Sequence, residues 1–336
     1  MKTALLMRQA VCIITMLLIF VTAQAQERIE DVMTFTVEDA DKILDAFIRP
    51  AGETAGFLQA EGWYNTAKPL RKLKFNVQIM GNGLFVRQQD RTFSLPNLNL
   101  QSATVIPGEE DATTVYGDFE GDIKVFNEAT NDTVRIPAGA GLPIVPFPVI
   151  QFNLGLIKNT ELSVRFFPAI DIEGSSGGLI GIGIKHDIKQ WIPSIALAPY
   201  SLSLVGSYSS LNIDYNWDIA NVEVDDQFIR FDNQQWSIGL IGSKRFAIFT
   251  VFGGVRYDNS RSTNRIEGTY LVGTAGGLEE INLEEFPELF DKTYENSRIG
   301  LSLGGKINLG VLSFQASGTI SNYTTINAGL GIGFNE

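Results

Sequence analysis

The chain has 336 residues and a formal charge of −12, set by 38 acidic against 26 basic residues, with a single cysteine and a single histidine. Such an acidic chain is a poor partner for nucleic acid, whose phosphates are met by basic stripes, and one cysteine excludes both an intrachain disulfide framework and a thiolate metal site. Apolar and aromatic residues make up 44% and glycine contributes 33 positions, a combination that fits neither disorder nor extensive helix and leaves a β architecture.

In chain order, Lys2 and Arg8 precede an apolar run from Ala10 to Val21 and then Ala23-Gln24-Ala25. That is the order of a secretory signal peptide, with small residues at the positions a signal peptidase must fit. Cleavage is expected after Ala25. Removing residues 1–25, with Lys2, Arg8 and Cys12, would leave 311 residues, move the charge from −12 to −14 and leave no cysteine. Lack of cysteine suits passage through an oxidising periplasm. The alternative, an uncleaved anchor, needs a longer apolar span of roughly 17–25 residues. Further on, the closest approach to a spanning helix, Pro137 to Ile157, is interrupted by Pro143, Pro146 and Pro148 and by Gln151 and Asn153.

From Glu38 to Ile48 the apolar spacing is helical: Val37, Ala40, Leu44, Phe47 and Ile48 share a side, Thr36 and Asp39 form a capping pair, and Arg49-Pro50-Ala51-Gly52 is expected to stop the helix. The segment Glu38 to Lys68 cannot join an alternating sheet. It either stays in the periplasm or folds inward as a plug, and Phe47, Ile48, Phe57 and Trp63, with Leu58, are the side chains that need burial. Residues 26–71 are therefore expected to form an N-terminal helical or plug segment.

After Lys72 the period becomes two. Phe152, Leu154 and Leu156 oppose Gln151, Asn153 and Gly155. Leu162, Val164, Phe166, Ile170 and Ile172 oppose Glu161, Ser163, Arg165, Asp171 and Glu173, and Ile180, Ile182, Ile184 and Ile188 oppose Gly181, Gly183, Lys185, Asp187 and Lys189. Gly174-Ser175-Ser176-Gly177 reads as a turn. The same alternation returns around Leu202, Trp236, Ile299, Leu312 and Ile326. Alternating segments of about ten residues separated by turns are the signature of a transmembrane barrel. Trp191, Tyr200, Tyr208, Trp217, Tyr257, Tyr270, Tyr294 and Tyr323 fall near expected strand ends, as girdles do, and the last strand finishes on Phe334. Residues 72–336 are thus expected to form an all-β, antiparallel barrel of 12 to 14 strands, with 14 favoured because bacterial barrels close on even numbers. A soluble all-β domain is the competing fold. Between Gln88 and Val149 the pattern is hard to read, with Phe119, Ile123 and Val125 suggesting one strand.

The wet face carries mixed charge: Glu161, Arg165, Asp171, Glu173, Lys185, Asp187, Lys189, Arg256, Arg298 and Lys306. An ion-selective constriction usually has one dominant sign, so mixed signs suggest a lumen braced by ion pairs, and Glu161, Arg165, Asp171, Lys185, Asp187, Arg256 and Arg298 are the lumen-lining candidates. The lone His186 shares parity with the isoleucines, which points it at lipid or the interface; a lipid-modifying enzyme could use it, yet no serine is placed beside it, and no catalytic residue is assigned. The carboxylates Glu279, Glu280, Glu284, Glu285, Glu288 and Asp291 alternate with Leu278, Ile281, Leu283, Phe286, Leu289 and Phe290, consistent with a short amphipathic helix on an acidic loop. They lack the spacing of a calcium loop. The glycine-rich stretches lack the lysine and the strand-turn-helix context of a nucleotide loop. Neither metal nor cofactor is expected.

The stretch from Ala51 to Val77, containing AGFLQAEGWYNTAKPLRKLKFNV, resembles the entry segment of a group of uncharacterised outer-membrane barrel proteins. GIGIKHDIKQWIP (Gly181 to Pro193) and QFNLGLIKNTELSVRFFP (Gln151 to Pro168) resemble two further markers of that group. The resemblance implies an outer-membrane barrel and no particular activity. A second, architectural resemblance is to outer-membrane fatty-acid transporters, 14-stranded barrels with an N-terminal plug, whose Asn-Pro opening is replaced here by Gln26-Glu27-Arg28-Ile29. The leading expectation is a plugged passive channel or transporter for a small, hydrophobic solute. A structural or ligand-binding barrel without transport, and a lipid-modifying enzyme, are the alternatives. The partners expected are outer-membrane lipid, that solute and the barrel-assembly machinery during biogenesis, with no nucleic acid.

Overall fold

The structure, a computed structural model, describes residues 31–119, 123–172, 175–216, 227–274 and 276–334. The expected signal peptide, Trp217 and Glu173 lie outside the described residues. Ten strands close into one antiparallel barrel: β1 (Phe75–Phe85), β2 (Ile144–Gly155), β3 (Thr160–Ile172), β4 (Ser175–Asp187), β5 (Ser201–Asn216), β6 (Phe228–Phe246), β7 (Phe249–Glu267), β8 (Asp291–Leu309), β9 (Leu312–Ile320) and β10 (Thr325–Gly333). Each pairs with the next along the chain. The ring closes where β10 meets β1, from Asn76 opposite Gly333 to Leu84 opposite Thr325.

Ten strands replace the expected 12 to 14 for two physical reasons. First, β5 to β8 run 16 to 19 residues, so each consumes far more chain than the roughly 9–11 residues needed to cross a bilayer. Second, the short strands between Phe85 and Ile144 pair outside the barrel: Thr92–Ser94 with Asp111–Thr113, and Lys124–Asn127 between Ala103–Val105 and Asp132–Arg135. Thr269–Thr274 and Gly277–Asn282 form a further separate hairpin. The acidic segment therefore holds a strand, a single 3₁₀ turn at Leu283–Glu285 and a four-residue helix at Pro287–Phe290, and not the amphipathic helix expected.

The barrel has two unlike ends. Residues 86–143 and 268–290 form long connections at one mouth, which also carries the 321–324 turn, while the other has the short turns 156–159, 247–248 and 310–311 and the longer 188–200 connection. The wall is polar inside and apolar outside. In β6, Asn233, Gln235 and Ser237 are buried, whereas Trp236, Ile238 and Leu240 are 44%, 48% and 40% exposed. On the outer face, Tyr208, Trp236 and Tyr257 mark one border of the apolar band, with the Trp236 and Tyr257 rings 5.4 Å apart. Phe246 and Phe249 mark the other. Beyond the first border the outer face turns ionic: Arg261 pairs with Glu295, Arg265 with Asp232 and Asp291, and Arg230 with Asp214. Of the remaining expected girdle residues, Tyr270, Tyr294 and Tyr323 are buried. Tyr270 packs under the long connections, Tyr294 bonds to Asp45, and Tyr323 stacks near Phe57.

The helix α1 spans Val37–Ala60 and runs straight through the expected stop at Pro50. A proline removes its own N–H bond and crowds the carbonyl four residues before it, and burial of most of the helix, Pro50 included, outweighs that loss. The expected capping pair does not form: Asp39 instead accepts from the Gln101 and Ser102 amides and from the Ser102 hydroxyl. This carboxylate fastens the start of α1 to the long connection. There Val32, Phe35, Ile43 and Leu44 share one core with Leu95, Val125, Ile136, Tyr270, Leu283 and Phe290, which makes a folded cap over the mouth.

Candidate functional site

From the cap, α1 and the residues after it descend through the lumen to the short-turn end. Gly56 touches the wall so closely that a Cβ there would meet Ser260 Oγ at 2.0 Å. Below it, Gln59 Nε2 donates to Asn233 (2.6 Å) and its carbonyl accepts from Arg165 Nη1 (2.8 Å). Trp63 seats against β4, where a Cβ on Gly183 would meet its ring at 2.7 Å. Tyr64 donates to Ser302 Oγ (3.1 Å), Asn65 bonds Gln315, and the Ala67 amide donates to Ser243 Oγ (2.9 Å). The Leu70 amide then donates to Glu161 Oε2 (2.8 Å) before the chain turns into β1. Asn82 of β1 donates to the Leu58 carbonyl (2.8 Å), so the segment is bonded to walls on all sides.

The centre of the lumen is a charge quartet. Glu61 Oε1 accepts from Arg256 Nη2 and Arg298 Nη2, both at 2.7 Å, and both arginines face Asp258, with Arg298 Nε 2.8 Å from Oδ2 and Arg256 Nε 2.6 Å from Oδ1. The last contact is an ion pair without hydrogen-bond geometry. Thr325 and Thr319 hydroxyls donate to the Glu61 oxygens (2.6 and 3.0 Å). Two carboxylates and two guanidiniums make the group neutral, which is what permits its burial away from water. Glu61 belongs to the segment and its three partners to the wall, so the quartet is a clamp.

Of the lumen-lining candidates, the structure brings Arg256 and Arg298 into this clamp and places Glu161 and Lys185 in a second buried pair at 2.9 Å. Arg165 stands apart. Its guanidinium lies 3.7 Å from the Trp63 ring centre, Nε donates to Gln151 (2.7 Å), and no carboxylate pairs with it among the described residues. Asp187 is not part of the lumen group; it accepts from the Lys189 amide at the short-turn end. Asp171 pairs with Ser176 across β3 and β4, and its side chain lies outside what is described. Among the plug candidates Phe47, Phe57 and Trp63 are buried and Ile48 is half-buried. Glu61 and Asp258 escaped the sequence reading. Asp258 shares parity with Arg256 two residues away and was legible on that ground; Glu61 follows the helix with no pattern to mark it.

His186 is held by three side chains, Thr160, Trp191 and, at 3.4 Å from Nε2, Gln190. Trp191 Nε1 donates to Nε2 (3.0 Å), which leaves the proton on Nδ1, facing Thr160 Oγ1 at 2.8 Å. Among the described residues no group of three or more histidines, cysteines and carboxylates is placed to hold a metal ion.

A family model matches residues 1–334. The chain belongs to DUF6588, a family of unknown function. No curated protein matches this DUF6588 chain. Solved structures with which it shares a likeness include the outer-membrane protease OmpT of Escherichia coli, at 10% identity and TM-score 0.34 over 78% of this chain and 97% of that one. The translocator domain of autotransporter NalP from Neisseria meningitidis aligns at 12% identity and TM-score 0.34, covering 87% and 96% of the two chains. A Pseudomonas aeruginosa FadL homologue aligns at 8% identity and TM-score 0.23, covering 78% and 91%. At these values none of the three assigns an activity to the DUF6588 chain.

Proposed function

We propose that the protein is an outer-membrane barrel held shut by its own N-terminal segment, and that solute crosses only when that segment leaves the lumen. The Glu61 clamp carries this reading, because it ties the segment to three wall residues at mid-lumen. The membrane part rests on the inside-out wall: Trp236 to Phe246 spans an apolar band of about the 9–11 residues a bilayer requires. Short turns face the periplasm in such barrels and long loops face outward, which puts the folded cap outside. Passive diffusion past a seated plug has no support in this geometry. Nor does the wall favour the hydrophobic solute expected from sequence, since Ser203, Ser207, Ser209, Asn233 and Gln235 would line the opened passage; a small polar solute fits them better. On this reading no bond is made or broken.

Planar-bilayer recording tests the proposal. Wild-type protein should be silent, Glu61→Gln should open intermittently, and deletion of residues 38–68 should give a sustained conductance. Silence in a folded Glu61→Gln variant and in the deletion would overturn it. The second reading, a barrel that binds a partner without transport, is favoured by the shared core of the cap, and it predicts that silence together with loss of binding when the 277–290 segment is replaced.

A further inference from the structure

The outer wall carries a trough that the closed lumen does not explain. Outward-facing rows across β5 to β8 are built of large apolar side chains, such as Leu204, Leu240, Val255 and Leu301. One row toward the short turns, the order is Leu202, Gly242, Gly253, Leu303. Two adjacent glycines between two leucines leave a depression of about 570 Å³, with Tyr200 and Lys244 at its margin. Nothing in the backbone forces glycine at position 242, where an added Cβ would meet no atom closer than the Ser201 carbonyl at 3.8 Å, whereas at Gly253 a Cβ would come within 2.9 Å of the Ser302 carbonyl.

The margin is cationic on one side only. Lys244 is the next outward residue along β6, opposite Val251, at the border marked by Phe246. It is exposed, its ammonium lies 5.2 Å from the Phe246 ring centre, and no carboxylate pairs with it among the described residues. Lys189 lies on the other side of Tyr200 and donates to the Ala198 and Tyr200 carbonyls, both at 2.8 Å. Cation and phenol thus stand at the membrane border, and the apolar trough lies on the bilayer side of them.

We infer that this trough is a site for an anionic glycerophospholipid, with the phosphate at Lys244 and Tyr200 and one acyl chain lying over Gly242 and Gly253. The order of groups matches the order of a phospholipid: charge at the interface, hydrocarbon inward. An acyl chain gains the contacts that a side chain at position 242 would otherwise make. The inference rests on the membrane reading above.

Native mass spectrometry of the full chain, released from bilayers of mixed phosphatidylglycerol and phosphatidylcholine, tests both. The wild type should retain one phosphatidylglycerol in preference to phosphatidylcholine. Lys244→Gln should lower that preference about fivefold, the effect expected of one lysine near anionic lipid. Gly242→Leu should lower retention of both lipids about tenfold by filling the trough, the loss expected for roughly two buried methylenes. Gly81→Leu, at an outward glycine of β1 with no atom within 4 Å of an added Cβ, should change neither. Insertion without preference, or equal loss in Gly81→Leu, overturns the lipid site and leaves the barrel in its membrane. Failure of the wild type to insert overturns both.

Discussion

Glu61 decides how the lumen is held. Its replacement by Gln leaves Arg256 and Arg298 to share the single charge of Asp258 in a buried setting. Removing one partner from such a group costs about 3–5 kcal/mol, so Glu61→Gln should lower the unfolding midpoint in denaturant with no change in strand content by circular dichroism. Gly183 plays the complementary steric part. Valine there would push into the Trp63 ring, since even a Cβ comes within 2.7 Å. Overpacking of this kind costs about 1–3 kcal/mol, and Trp63 displaced from its seat should report the change as a red-shifted emission. His186→Ala, by contrast, should leave bilayer behaviour unchanged, because its ring bonds only to Thr160 and to residues of the turn it sits on. A lost activity toward lipid ester in that variant would restore the enzyme alternative.

At the scale of elements, the segment and the wall are separate pieces that can be fastened together. Thr66 Oγ1 and Ser243 Oγ are 3.1 Å apart, close to what a disulfide can bridge after small adjustment. The Thr66→Cys/Ser243→Cys protein should therefore stay silent in bilayers when oxidised, even in the Glu61→Gln background, and open on reduction. The strands that hold this arrangement were legible from period alone, because one parity of β3, β4 and β6 faces outward and is apolar while the other meets polar groups in the lumen. The interior was less so. Alternation shows which side chains point inward but not what they meet there, and the partners of Arg165, Arg256 and Arg298 come from a segment over a hundred positions away in sequence. Helix α1 was read too short, since Pro50 is a stop signal in an isolated helix and its cost is offset by packing in this one. The cap strands between Phe85 and Ile144 were mostly unreadable for a different reason: three or four residues carry too little period to register, and of the residues expected to form one strand there, Val125 lies in Lys124–Asn127.

For the whole molecule, the unequal ends give an orientation that labelling can check. A maleimide that does not cross the outer membrane should modify Glu279→Cys in intact cells, because Glu279 is exposed on the long-connection hairpin. Val311→Cys, 62% exposed in the turn between β8 and β9, should react only after permeabilisation. The reverse pattern would invert the barrel and put the cap in the periplasm.

The path of the segment also constrains how the ring can be assembled. It enters at one mouth, leaves at the other and continues directly into β1, one of the two strands at the closure. The chain is thus threaded through a hoop made from its own later residues, and the β1–β10 seam completes that hoop. Pulling the folded cap through a finished ring would break its shared core, so assembly is simplest if the seam zips last around a thread already in place. In that order the thread serves as a mandrel: Glu61 and Gln59 gather Arg256, Arg298 and Arg165 from strands on different sides before β10 arrives. A chain lacking the thread must bring Arg256 and Arg298 together with Asp258 as their single counter-charge, and its defect should show first as slow closure.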